Sequence, residues 1–145
     1  MTAIVRHAKD RGEVLNVLGT NITILTSKAT TSNLEVTHQS GNEGMGPPPH
    51  SHAWDETFYV LEGTVLFTCD GITELCEKGT LVHVPAGTVH AFQYAVGGGE
   101  MLEFTGQGSN AATMFKNVSD EVPPGPPDVE HVESVLNNNG VTVHL

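Results

Sequence analysis

The chain has 145 residues, six Lys plus Arg against seventeen Asp plus Glu, and a net charge of −11. That length fits about one domain with a real core, and the acid excess leaves no basic patch with which to hold nucleic acid or an anionic membrane. No apolar run reaches the length of a membrane span, and the opening MTAIVRHAKDRGEV has no apolar stretch followed by small residues, so no secretory signal is expected.

Residues 1–12 read as an N-terminal arm. Residues 13–118 read as the barrel domain, and short β-rich segments with a period of two dominate the first two thirds of the chain. Strands are expected over Glu13–Leu18, Asn21–Thr26, Asn33–Gln39, Glu56–Leu61, Thr64–Cys69, Ile72–Cys76, Leu81–Val84, His90–Tyr94 and Met101–Thr105. Turn signals separate them at Gly19, Gly41–Gly46, Glu62-Gly63, Asp70-Gly71, Lys78-Gly79, Pro85–Gly87 and a loose hairpin loop at Gly97–Gly99. Asp70-Gly71 is the clearest, because a type I′ hairpin needs positive φ at both central positions. Many short strands with frequent Gly and Pro turns indicate an all-β sandwich or barrel.

That hairpin also bears on the two cysteines, Cys69 and Cys76. A two-residue turn pairs Cys76 with Val65, which leaves the thiols about four residues apart along the ribbon and beyond disulfide reach. Reduced thiols and a cytoplasmic location are the expectation. The tail, residues 119–145, changes character. Val122-Pro-Pro-Gly-Pro-Pro127 reads as an extended spacer. Val129, Val132, Val135 and Leu136 then share one helical face, with Asp128 and Glu130 at its positive end and Gly140 as its stop. This helix is expected to pack on the barrel, with Val141–Leu145 as a short edge strand.

The chemistry-bearing residues fall in two blocks. The first runs from Gly44 across five residues to His50, then His52, Glu56 and Gly63; the second runs from Gly79 across five residues to Pro85, then Gly87 and His90, with fifteen residues between Gly63 and Gly79. In a strand His50 and His52 point the same way, about 7 Å apart along the backbone, so two imidazoles can converge on one ion. Glu56 shares their parity, although Ala53-Trp54-Asp55 can form a bulge that resets it, and Asp55 is the rival carboxylate. His90 would close the site from a separate strand. Three imidazoles and a carboxylate suit one divalent transition metal ion: iron, nickel, manganese, cobalt, copper or zinc. His7, His38, His83, His131 and His144 are expected at the surface or in satisfied positions. Pro47-Pro48-Pro49 reads as a stiff, extended lead-in to the first histidine.

These blocks, in this order and with these gaps, resemble the two-part signature of the cupin superfamily. Gly46-Pro-Pro-Pro-His50-Ser-His52-Ala-Trp-Asp-Glu56 and Val84-Pro-Ala-Gly-Thr-Val-His90-Ala-Phe92 are similar to the quercetin-dioxygenase-like small cupins. The resemblance covers roughly Leu15–Thr105. It implies a double-stranded β-helix, or jelly-roll barrel, commonly a homodimer, with metal held inside by His50, His52, Glu56 and His90. It also favours Glu56 over Asp55. Where the second motif often ends in Asn, this chain has Tyr94. Phe58, Phe92 and Tyr94 have the parity to line a cavity and touch a substrate, and Trp54 is expected at its mouth.

The function implied is a metal-dependent oxidoreductase of the dioxygenase type, acting on a small oxygenated, even aromatic, substrate, with Glu56 accepting a substrate proton. The alternative is a non-catalytic small-molecule-binding or sensing cupin, or a metal-dependent isomerase. Fold alone does not choose between them.

Overall fold

A computed structural model describes residues 2–144. The exposed arm carries one 3-10 turn at Ala8–Asp10. There follow β1 (Leu15–Val17), β2 (Thr20–Thr26), a single helical turn α1 (Lys28–Thr31), β3 (Glu35–Gly41), β4 (His50–His52), β5 (Glu56–Cys69), β6 (Ile72–Glu77), β7 (Leu81–Val84) and β8 (His90–Thr105). Helices α2 (Ala111–Glu121) and α3 (Val129–Asn138) come next, and β9 (Val141–Val143) ends the described chain.

One antiparallel nine-stranded sheet runs β1-β2-β3-β8-β4-β9, with β5 paired to β6, β7 and β8. It curls into a half-barrel because β5 and β8 are long and bent, and each contributes to both walls. The Asp70-Gly71 hairpin sets Val65 opposite Cys76 as expected, and both cysteines are free thiols. Leu81–Val84 is the strand anticipated, and Val141–Val143 pairs with β4 through Ser51 and its neighbours. Leu145 lies outside the described residues.

Two expected turns are instead bends within continuous strands. Glu62-Gly63 sits inside β5, and Gly97–Gly99 sits inside β8. The register explains this: Gly99 pairs with Gly41 of β3 on one side and with Gly63 of β5 on the other. At this glycine seam the backbones come too close for side chains. A Cβ on Gly63 would lie 2.1 Å from the Gly98 carbonyl oxygen, and one on Gly41 would lie 2.5 Å from the Tyr94 ring. Register shifts on either side of the seam also switch the inward parity. In β5, Glu56, Phe58 and Val60 face inward before it, and Val65 and Phe67 after it. In β8, His90, Phe92 and Tyr94 face inward before it, and Met101, Glu103 and Thr105 after it. A local irregularity thus lets one strand serve two walls.

Two apolar clusters hold the fold. Within the barrel pack Phe58, Val60, Val65, Phe67, Phe92, Tyr94 and Met101. A second cluster joins β1 and Trp54 to the helical layer of Met114, Phe115, Val118, Val132, Val135 and Leu136. Helix α2 straddles the expected boundary between barrel and tail, where no helix is anticipated. Its buried Ala111, Met114, Phe115 and Val118 share one face. Helix α3 begins where Asp128 caps it, the carboxylate accepting from the His131 amide at 3.2 Å. Asp128→Ala is expected to cost about 1 kcal/mol, the usual value of such a cap, and a urea melt of the two proteins checks it. Among the described residues no helix is long and apolar enough to cross a membrane.

Candidate metal centre

Strand β4 carries both His50 and His52, and its position is fixed from both sides. His50 pairs with His90 of β8, and with Val143 of β9. Upstream, the Pro49 carbonyl accepts from the His144 amide at 2.8 Å, so the proline triplet is held at the sheet edge while needing to donate nothing there. The chain then turns through Ala53-Trp54-Asp55 and re-enters the sheet at Glu56, which pairs with Thr105 and Val84.

Ligand-type atoms of His50, His52, Glu56 and His90 all lie within 4.8 Å of one another. Glu56 Oε1 is 3.1 Å from His52 Nε2 and 2.7 Å from His90 Nε2. Neighbouring ligands of one octahedral ion, with bonds of about 2.1 Å, would be roughly 3 Å apart. The donor set therefore fits a single transition-metal ion, and His52, Glu56 and His90 are buried beneath the partly exposed His50.

The three rings share one anchoring device. His50 Nδ1 donates to the Pro48 carbonyl at 2.8 Å, His52 Nδ1 to that of Trp54 at 2.9 Å, and His90 Nδ1 to that of Thr88 at 2.8 Å. With Nδ1 carrying the hydrogen, each Nε2 lone pair is left for an ion, and the ring plane is set. Trp54 stacks on His52 with centroids 4.2 Å apart and planes 8° from parallel. It is not at a cavity mouth as expected. It is buried against the helical layer, because Gly140 and α3 close over its ring. Asp55 points elsewhere: its Oδ1 accepts from the Ala86 amide at 2.8 Å.

Electrostatics favour a ready ligand set. Burial, then the proximity of His90, lowers the His50 pKa to about 4. For Glu56, burial acts to raise the pKa, but hydrogen bonds from His52, His90 and Glu103 outweigh it and hold the carboxylate well below its usual range. Burial also works against a charged His90, yet its contact with Glu56 leaves its pKa raised. Metal ligation requires neutral rings, so binding must release the proton that Glu56 encourages on His90, and acid opposes it. Metal affinity is expected to fall more than tenfold between about pH 7 and about pH 5, with His90 protonating before His50. A competition titration against a colorimetric chelator reads this; a flat profile would contradict it.

Glu103 is the residue that sequence reasoning missed. It lies on β8 opposite Thr37 and Phe58, is 3 % exposed, and reaches Glu56. Thr37 Oγ1 donates to it at 3.1 Å, and Gln39 Nε2 donates to Thr37 Oγ1 at 3.2 Å. Burial and the Glu56 charge push its pKa well above the ordinary range, opposite in direction to that of Glu56. Glu56, Glu103, Gln39, Phe58 and Phe92 line a small cavity of about 50 Å³, together with Met114 and Phe115 of α2. Tyr94 packs edge-on against Phe92, fully buried, and its hydroxyl has no partner among the described residues. Burial raises the Tyr94 pKa, so the phenol stays neutral. A larger groove, about 700 Å³, contains none of the four ligands; Leu66, Thr68 and Gln93 line it from the sheet face opposite the barrel core. The remaining histidines serve locally: His38 contacts Glu100, His83 bonds Thr57, His131 bonds the Glu121 carbonyl and His144 bonds Ser51.

Residues 37–104 match the family described as Cupin domain. KdgF from a Halomonas species superposes with a TM-score of 0.66 at 18% identity, covering 73% of this chain and 94% of that one. An RmlC-like cupin from Shewanella frigidimarina gives 0.63 at 18% identity, covering 72% and 92%. In sequence, an acireductone dioxygenase from a Synechococcus strain is 45% identical over 47 residues, 30% of this chain. The match spans only 25% of that relative's length. Residues 37–104 thus match the Cupin domain model, and the half-barrel is the fold shared with these solved structures.

Proposed function

We propose that the chain is a metal-dependent oxidoreductase of the dioxygenase type, with one divalent transition metal held by His50, His52, Glu56 and His90, acting on a small oxygen-rich substrate. The observation that carries this reading is the convergence of three Nε2 atoms and one carboxylate oxygen, each ring anchored through Nδ1, beside a small cavity. The local similarity to a protein named acireductone dioxygenase supports the reaction class.

When bound, the ion would supply a Lewis acid and a template for a chelating substrate and dioxygen. The chain supplies the rest. Glu56, held ionised by two imidazoles, is the residue placed to accept a proton from a substrate hydroxyl. Phe58 and Phe92 give the cavity apolar walls. A space of about 50 Å³, against the roughly 300–1,000 Å³ of sites for drug-sized ligands, favours a compact substrate over a polycyclic one.

The test is oxygen uptake by protein reloaded with each of the six metals, across small enediols, diketones, thiols and flavonols, with anaerobic controls. Uptake with a compact enediol or diketone, and none with flavonols, is the expected result. No uptake with any metal and any substrate would defeat the enzyme reading and leave a binding or isomerase role for the same centre.

A further inference from the structure

The outer face of one wall does not carry the side chains of a solvated surface. Strands β7, β5, β8, β3 and β2 lie side by side there. Their register sets Leu81, Tyr59, Leu102 and His38 in one outward row, and His83, Thr57, Phe104 and Val36 in the next. An antiparallel sheet with one face in water alternates apolar and polar residues, whereas here both alternating sets are largely apolar. Tyr59 and Leu81 are 39 % and 62 % exposed, and Val36, Leu102 and Phe104 are half-buried. The polar members of the face already satisfy one another: His38 meets Glu100 at 3.2 Å, and Thr57 bonds His83 at 2.9 Å. Apolar and aromatic side chains with few free charges are what the core of a protein interface contains.

The N-terminal arm indicates what covers this face. Residues 1–12 contain three of the six Lys and Arg but one of the seventeen acids, so a basic arm is attached to a strongly acidic body. Residues 2–10 are exposed, Ile4 and Val5 among them. Strand β1 pairs with β2 only from Thr20 to Ile22, and beyond it Arg6 Nε donates to the open Leu25 carbonyl at 3.3 Å. The arm is thus anchored at the β2 margin of the same face. The residues before Arg6, if extended, span about 13 Å, enough to cross two or three strands spaced about 4.8 Å apart. Area leads to the same partner. Five strands about 4.8 Å apart and about six residues long at about 3.4 Å each cover about 500 Å². A stable dimer buries roughly 800 Å² per partner, so the sheet face falls short without the arm.

We propose that this face docks a second copy of the chain, and that the basic arm of each copy crosses the junction to lie on the acidic body of the other. The two sheets stack about a two-fold axis, with Tyr59, Leu81, Leu102 and Phe104 at the junction. Arg6, Lys9 and Arg11 offset the repulsion between two acidic bodies, and Ile4 and Val5 gain apolar cover. Nothing in this arrangement depends on the metal centre.

Sedimentation velocity on the full chain, from about 1 μM to about 100 μM, tests it. Wild type is expected to be a dimer across that range. Tyr59→Glu and Leu81→Glu each place an unpaired charge at the junction and should raise the dissociation constant more than about tenfold. Val5→Asp combined with Arg6→Glu should raise it by about tenfold through loss of the arm contact. All of these side chains face outward, and far-UV circular dichroism confirms that each variant is folded. Ile72→Asp supplies the control: the residue is 70 % exposed but lies on β6, outside the five strands, and the dimer should persist. A monomeric wild type at every concentration would overturn the proposal. So would a dimer that Tyr59→Glu and Leu81→Glu leave intact, or one that only Ile72→Asp disrupts. A dimer indifferent to the arm variant would overturn the exchange of arms.

Discussion

Replacing His90 with alanine is expected to abolish metal retention, and His52→Ala to do the same, while His131→Ala should leave it intact. His90 Nε2 lies 2.7 Å and His52 Nε2 3.1 Å from the shared Glu56 oxygen, so each truncation removes a ligand and leaves that carboxylate facing a gap. Loss of an outer hydrogen-bond partner of a metal ligand typically costs about 10–100-fold in affinity, and loss of a ligand itself should exceed that. His131, by contrast, sits on α3 and bonds the Glu121 carbonyl. Elemental analysis after gel filtration gives the stoichiometry. Thermal melts give an independent reading, because an ion that binds only the native state stabilises it by about 4 kcal/mol when present at 1,000 times its Kd. Wild type and His131→Ala should show that rise with added metal, and the other two should not. Equal metal loss in all three variants would mean that the site is wrongly assigned.

Gly63→Ala is expected to destabilise the protein by about 3 kcal/mol or more. The residue has φ of 72°, where a side chain is strained, and its added Cβ would meet backbone, the Gly98 carbonyl oxygen at 2.1 Å. Backbone cannot rotate away as a flexible side chain can. Relief requires the seam between β5 and β8 to open, and those strands carry Glu56 and His90. The substitution should therefore lower metal affinity as well as stability, although Gly63 touches no ligand. Gly71→Ala supplies the comparison: its φ is 81°, but open space surrounds the new Cβ, so only the local strain of about 1 kcal/mol applies. Chemical denaturation of the two variants checks the contrast, and similar losses would show that the seam is not tight.

Much of this site was legible because the relevant rules are local. Strand parity and the family spacing favoured Glu56 over Asp55, and the Asp70-Gly71 turn set Val65 opposite Cys76. What was not legible depended on tertiary pairing. In Met101-Leu-Glu-Phe-Thr105, both alternating sets contain apolar side chains, and a strand glutamate reads by default as facing water. Only the pairing of Met101 with Val60 and Gln39 shows that Glu103 and Thr105 point inward, with Leu102 and Phe104 half-buried on the outer face. Gly63 and Gly97–Gly99 read as turns because glycine marks turns and close backbone approaches alike. The alternative emerges only when three glycine-bearing strands meet. Helix α2 did carry a signal, since Ala111, Met114, Phe115 and Val118 have helical spacing. The expected boundary of the barrel at about residue 118 cut through it.

The central claim is that His50, His52, Glu56 and His90 hold one metal ion, and elemental analysis of the chain purified without a histidine tag tests it most directly. The expected result is one transition-metal ion per chain, or one per chain after reloading, released by acid and restored at neutral pH. Protein that binds none of the six metals stoichiometrically, while remaining folded, would contradict it.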